Sequence, residues 1–240
     1  MLNKLIMDVL LSKLRDSFSC VSSLNKPIVV NCVPGSGKSH FIRTLIGGDS
    51  RFRAFTGGVP DFQNLTGRFL RKFEGSVDPQ FINILDEYQA VDPVHYPKFA
   101  AIFGDPLQEI PKSIYPQASF VGNATKRFGK QTVLYLNKLG IDITSEREDK
   151  FDIEYIFSGK LIGVVIAFEE EIIRLLSSHG CPFRRPQEVR GETFDRVTFV
   201  CTGRRATECE RHLVYIAITR HRDQLKILAA DVTNATRGLF

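Results

Sequence analysis

The sequence predicts an α/β protein built from two parallel-sheet units, and three observations carry that prediction. Short apolar runs alternate with stretches of helical periodicity along most of the chain. A glycine-rich turn stands between the first apolar run and the first strong helical pattern. The length of 240 residues allows two modest hydrophobic cores.

Taken in order, Leu2, Leu5, Ile6, Val9, Leu10 and Leu14 recur at helical spacing and predict a helix packed on the first core. Asp8 and Asp16 count against a membrane-surface helix, whose polar face is usually basic. Strands are expected over residues 28–32, 52–55, 81–85 and 101–103. A helix should open at Lys38 and stop at the Gly47-Gly48 pair. Residues 105–116 are proline-rich and read as a connector. Beyond them come a helix over 126–139, a strand over 161–168, a helix over 169–178, a strand over 196–201, a helix over 208–219 and a strand over 225–229. Residues 57–78 and 140–159 show no clear period. The expected joint lies near residues 115–125, giving domains of 1–120 and 121–240.

Composition narrows the classes. Hydrophobic residues at 43% and charged residues at 25% exclude a disordered tail. The net charge of +5 fits a nucleic-acid binder without demanding one. From Arg184 to Lys226 ten basic residues face six acidic ones, so this part could present an anion-binding face. The arginine clusters 184–185 and 204–205 read first as solvated faces, because that is the commoner use of such runs. Five scattered cysteines without a C-x-x-C pair argue against structural zinc and a disulfide framework, and for a reducing compartment. No apolar run approaches a membrane span, and no cleavable leader is read ahead of the core. The abundant phenylalanines read as core, with Phe128 and Tyr88 the two aromatics expected to be free for base stacking.

The strongest chemical signal is Pro34-Gly35-Ser36-Gly37-Lys38-Ser39-His40, between an apolar strand and a helix. Glycines there let the backbone wrap a phosphate chain, and the helix start adds a positive dipole. Lys38 should reach the phosphates, and the Ser39 hydroxyl should ligate Mg2+. The full loop pattern has glycine where this chain has Cys32, which should keep a strand-like backbone. About fifty residues on, an apolar strand ends in Asp86-Glu87-Tyr88. Parallel strands gather their ends at one sheet edge, so Asp86 should hold the metal and Glu87 polarise the attacking water. A third strand ends at Gly104-Asp105, and Gln108 in the following loop could sense the nucleotide's phosphates.

These three pieces, in this order, resemble the superfamily 1 RNA helicases of positive-strand RNA viruses. Residues 187–195 resemble that family's fifth motif, which implies RNA contact by Arg190 and Thr193. Residues 215–220 resemble the sixth, which implies an arginine finger at Arg220. Residues 125–129 resemble the fourth, with Arg127 as a second phosphate-facing arginine, and residues 55–58 resemble the motif whose threonine, here Thr56, meets the RNA backbone. More narrowly, the short chain, the Asp-Glu-Tyr triplet and the Arg-Phe-Gly segment resemble the triple gene block movement proteins of potexviruses and carlaviruses. Arg190 departs from that pattern, since many relatives carry glutamine there.

The resemblance implies two RecA-like domains forming a minimal P-loop NTPase helicase core, using ATP and Mg2+. It implies single-stranded RNA, the viral coat protein and the two small membrane movement proteins as partners, and cell-to-cell transport with suppression of RNA silencing. The expected place is the host cytoplasm, reaching plasmodesmata through partners. Self-association is a further expectation, because the chain has little room for accessory domains. Two outputs remain open: a motor that unwinds RNA, and a nucleotide-gated RNA transport protein with little unwinding. A GTPase or small-molecule kinase is disfavoured, because Asn137-Lys138-Leu139-Gly140 lacks the acid that reads guanine.

Overall fold

The computed structural model describes residues 2–110 and 115–240, with side chains from residue 6 onward in that range. Part of the expected proline-rich connector, and the Leu2 and Leu5 side chains, therefore lie outside the described residues. The chain divides into two compact units, Met1–Pro106 with Ser113–Asn123, and Leu107–Lys112 with Ala124–Phe240.

The first unit contains α1 (Leu2–Ser17), β1 (Ser19–Cys20), β2 (Ile28–Cys32), α2 (Lys38–Gly48), β3 (Phe52–Thr56), β4 (Arg71–Lys72), β5 (Ile82–Asp86), β6 (Ala101–Gly104) and β7 (Phe120–Gly122). Its sheet runs β1-β7-β2-β6-β5-β3-β4, parallel except where β1 meets β7. Alternation sets the layers: Ile28, Val30 and Cys32 pack on one side of β2 while Val29 packs on the other. Both faces are buried, as a parallel sheet requires.

The amphipathic pattern at the N-terminus has gone into this core. Ile6, Leu10 and Leu14 of α1 are buried with Ile42, Leu45 and Ile46 of α2. Each such side chain contributes about 2 kcal/mol on burial. That face is covered by protein, so the membrane-surface reading of α1 is not needed. The helix α2 runs through Gly48 and is not stopped by the glycine pair. Asp49 closes it, its N–H donating to the Leu45 carbonyl.

The stretch in which the joint is expected, residues 115–125, contains a strand. Phe120–Gly122 pairs with β2 and with β1, so these residues complete the first sheet and do not serve as a bare connector. Three residues are too few to show a period, which is why the sequence concealed this strand.

The second unit holds α3 (Lys130–Lys138), β8 (Lys150–Tyr155), β9 (Val164–Ile166), α4 (Glu170–Ser178), β10 (Phe194–Cys201), α5 (Arg211–Ile218), β11 (His221–Ala229) and α6 (Val232–Arg237). Its sheet is wholly parallel, in the order β8-β11-β10-β9. The helix expected from residue 126 starts only at Lys130. The Thr125 hydroxyl accepts from the Arg127 N–H, and Gly129 lies so close to the 148–149 backbone that a Cβ there would meet it at 2.4 Å. That approach fixes the turn and delays the helix. The helix expected from residue 208 starts at Arg211, because Glu210 accepts from the Thr207 N–H and hydroxyl and holds a turn before it. The strand expected over 161–168 shrinks to three residues, since Gly163 (φ 54°) sits against the Arg196 carbonyl.

Candidate nucleotide site and arginine-bearing motifs

The first unit brings Lys38, Ser39, Asp86 and Glu87 together. Cys32 continues β2 and pairs in register with Gly122, so the position where the full loop pattern has glycine is ordinary strand. Its buried thiol is pushed up to about 12, which marks it as inert packing. The loop then turns through Gly35 (φ 81°) and Gly37 (φ 92°), a left-handed conformation that favours glycine. Gly37 caps α2 without any side-chain hydrogen bond. The first backbone N–H groups of α2 therefore lack the side-chain acceptor that usually occupies a helix start, as an anion site requires.

Lys38 Nζ donates to both Asp86 Oδ1 and Glu87 Oε1. Burial works against the ammonium charge, yet the two carboxylates outweigh it and hold Lys38 above its ordinary range. Asp86 is raised by burial but receives three donors: the Lys38 ammonium, the Ser39 hydroxyl at 3.0 Å and the Glu87 N–H at 2.9 Å. Three donors favour the carboxylate over the acid, so the pair is ionised. Glu87 adopts φ 53°, the single positive φ outside glycine among the described residues. That conformation costs about 1–2 kcal/mol and is held from both ends by Asp86 and Lys38.

Gln89 is a residue that sequence reasoning missed. Its side-chain amide donates to Glu87 Oε2 at 2.5 Å and so fixes the carboxylate from the far side. Gly104 makes room for it: a Cβ there would stand 2.2 Å from Gln89 Oε1. An amide two positions beyond an acid pair was the available signal. Thr56 lies in register beside Asp86, but it is 1% exposed and its hydroxyl accepts from the Gly58 N–H. His40 is exposed on the first turn of α2. Tyr88 and Phe128 are fully buried, Tyr88 donating to Asn31 Oδ1, so both expected stacking aromatics are core residues.

The oxygen set suits a magnesium ion on a nucleotide. Ser39 supplies a hydroxyl and Asp86 a carboxylate, hard donors already 3.0 Å apart, beside an uncapped helix start. No group of three or more His, Cys, Asp or Glu among the described residues forms a separate metal centre.

The second unit gathers the arginines. Arg220 is 1% exposed at the end of α5, its Nε donating to the Ile216 carbonyl and its Nη2 to the Thr219 hydroxyl. Arg127 donates to the Thr219 carbonyl at 3.3 Å, so the two arginines converge on one residue. Behind them His221 Nε2 lies 3.1 Å from both Asp149 Oδ2 and Thr132 Oγ1. Burial pushes Asp149 up, but its hydrogen bonds to His221 and Thr132 win and leave it below the usual carboxylate range. This buried network ties residue 149 to residue 221, a pairing across 72 positions that no local pattern signals.

Gln108 and Arg190 also meet in the second unit. Arg190 donates to the Gln108 carbonyl and pairs with Glu109 at 3.1 Å. Thr193 is half-buried just before β10. The arginine clusters are paired at the surface, Arg184 with Glu192 and Arg204 with Glu210.

A parallel-sheet unit with a phosphate-type loop and an Asp-Glu strand end, followed by a second parallel-sheet unit with paired arginines, defines a helicase-type core. The chain belongs to the viral superfamily 1 RNA helicases, whose core-domain model matches residues 28–229. Its relatives within that class are movement and silencing proteins. It is 44% identical over 212 residues to the movement and silencing protein TGBp1 of Chrysanthemum virus B, covering 88% of this chain and 91% of that one. It is 41% identical over 235 residues to that of Poplar mosaic virus, covering 95% and 99%. Both resemblances drawn from the motifs therefore hold. In fold it is similar to the arterivirus nonstructural protein 10 helicase, with TM-score 0.56 at 16% identity over 96% of this chain. It spans 59% of that helicase's length.

Proposed function

We propose that the chain is an ATP-hydrolysing, RNA-binding motor core that remodels or transports viral RNA from cell to cell and also acts in silencing suppression. The observation that carries this reading is the cluster of Lys38, Ser39, Asp86 and Glu87 at the uncapped start of α2. The unit of residues 1–106 with 113–123 forms the ATP-binding RecA-like domain, and that of residues 107–112 with 124–240 the second, arginine-bearing one.

In this reading residues 34–40 hold the phosphates, with Lys38 exchanging its carboxylate partners for phosphate oxygens. Ser39 and Asp86 hold the metal. Bound Mg2+ supplies neutralisation of the charge that grows on the transferred phosphoryl group. Glu87, released from Lys38 but kept in place by Gln89, accepts the proton of the attacking water. Gln108 senses the phosphates, and Arg127 and Arg220 stabilise the developing charge. Such an arginine is worth roughly three to five powers of ten in rate.

Single-stranded RNA contacts Thr56, Arg190 and Thr193. Thr56 and Arg190 are both engaged inside the protein, so RNA must displace those bonds before it gains them. The coat protein, the two small membrane movement proteins and self-association complete the proposed partner set. No helix among the described residues is long and apolar enough to cross a membrane, so association with plasmodesmata would run through such partners from the host cytoplasm.

The test is ATP turnover with and without single-stranded RNA, beside Lys38→Ala. Turnover stimulated by RNA and lost in the variant supports a coupled motor. No turnover, with RNA affinity that changes on adding ATP, selects the gated transport protein. Neither turnover nor RNA binding would refute both.

A further inference from the structure

The first unit carries positive charge that its nucleotide site does not use. Two other arginines of this unit are paired with carboxylates, Arg43 with Asp61 and Arg51 with Asp49. Arg68 and Arg71 differ. Arg68 Nη1 donates to the Gly47 carbonyl at 2.7 Å, and Arg71 Nη2 to the Gly67 carbonyl at 3.0 Å. Among the described residues neither makes an ion pair, and Asp49, the acid that feels the charge of Arg68, is already gripped by Arg51. A third guanidinium, Arg53, has its carboxylate partner Asp78 only at the limit of pairing, 3.9 Å.

These three arginines surround a cavity of about 350 Å3 together with Phe69 and Phe81. The Arg53 guanidinium lies 3.5 Å from the centre of the Phe81 ring, and that of Arg71 5.1 Å from the centre of Phe69. Among the described residues β4 pairs only with Phe55 and Thr56, which leaves β3 without a strand beside its outer edge along residues 52–54, at the border of the cavity. The cavity sits toward the start of β3, whereas Asp86 is level with its last residue.

We propose that this cavity binds single-stranded RNA, one base lying on the arginine–phenylalanine stacks and the flanking phosphates on Arg68 and Arg71. The volume suits one nucleobase, and every base has a face that can stack on an aromatic or guanidinium plane. Guanidinium groups anchored by neutral carbonyls keep their full charge and their forked geometry for phosphate oxygens. A free phosphate would have no use for the two aromatic rings. A membrane surface would call for a convex basic face and not a concavity. The inference rests on the RNA-binding reading above and adds to it a contact on the first unit alone, away from the Lys38 cluster. RNA held there stays bound through changes at the nucleotide site.

The test uses the full chain, a fluorescently labelled single-stranded polyuridine and anisotropy across a salt series. Arg68→Gln with Arg71→Gln should bind about tenfold more weakly, with a salt slope shallower by about 1.4, or about 0.7 for each phosphate no longer neutralised. Arg68→Lys with Arg71→Lys should keep most of the slope and lose affinity, because an ammonium neither forks nor stacks. Ultraviolet cross-linking of RNA to the unaltered protein should label peptides within residues 66–82, which keeps the proposal testable if the glutamine pair fails to fold. Unchanged affinity and slope in a folded glutamine pair overturn it, as do cross-links that all fall elsewhere. Competition by inorganic phosphate but not by uridine would show an anion site only and overturn the base contact. Loss of binding to phosphatidylserine vesicles with RNA binding intact would assign the arginines to a membrane and overturn it as well. If the unaltered protein binds no RNA, the proposed function fails too. If it binds and the glutamine pair binds equally, only this inference fails.

Discussion

Arg190 is paired with Glu109 at 3.1 Å, a motif arginine held by a carboxylate where RNA phosphate is expected. Both side chains are about three-quarters covered, so the pair is worth only about 1 kcal/mol after screening. Glu109→Gln should free Arg190 and strengthen RNA binding by about fivefold at low salt, the gain shrinking as salt rises. Anisotropy at two salt concentrations checks this. An unchanged affinity would place RNA away from Arg190.

Lys38→Ala should abolish ATP turnover and also destabilise the protein. The variant leaves the Asp86 carboxylate buried without its counter-charge, at a cost of about 3 kcal/mol. Adding Asp86→Asn should restore much of that loss while turnover stays absent. Urea unfolding measures both, and strictly additive losses would contradict the coupling.

Arg220→Gln should lower hydrolysis by about three powers of ten while ATP binding changes only a few-fold. The buried guanidinium also bonds to Ile216 and Thr219, so the melting temperature should fall. Nucleotide titration beside single-turnover rates separates the two effects. Equal loss of binding and rate in a folded variant would remove the finger role.

Glu210 gives a pH-dependent contribution. Its hydrogen bond with Arg204 lowers it from 4.5 to about 2. Because the folded value is depressed, the contribution is present above about 4.5 and lost as pH falls toward 2. The group is partly exposed, so the effect is at most about 1 kcal/mol. Unfolding midpoints of Glu210→Gln and the unaltered protein should differ at pH 7 and converge as pH falls to about 2. A constant gap would contradict the assignment.

Tyr88→Phe should cost about 1 kcal/mol of stability, since Asn31 loses its donor inside the core. RNA affinity should be unchanged. A drop in affinity at constant stability would make Tyr88 an RNA-stacking residue after all.

Some of this was legible residue by residue. The strand at Ile28–Cys32, the helix opening at Lys38 and the acids closing the strand at Asp86 are local patterns, because each depends on neighbours within a few positions. β8 escaped notice although Lys150, Asp152 and Glu154 alternate with Phe151, Ile153 and Tyr155. Its period of two belongs to an edge strand, and it lay inside a segment otherwise without period.

The sequence by itself determined the parallel α/β architecture, the phosphate-type loop and the acids that follow it, because apolar period and glycine placement act over short range. Only the tertiary structure decided which motif side chains are already occupied: Lys38 by two carboxylates, Thr56 by Gly58, Arg190 by Glu109 and Arg220 by the end of its own helix. It alone also decided that Arg53, Arg68 and Arg71 share one cavity. The reason is physical: a side chain's charge is written in the sequence, but its partner is set by which strands and loops the fold places within a few ångströms.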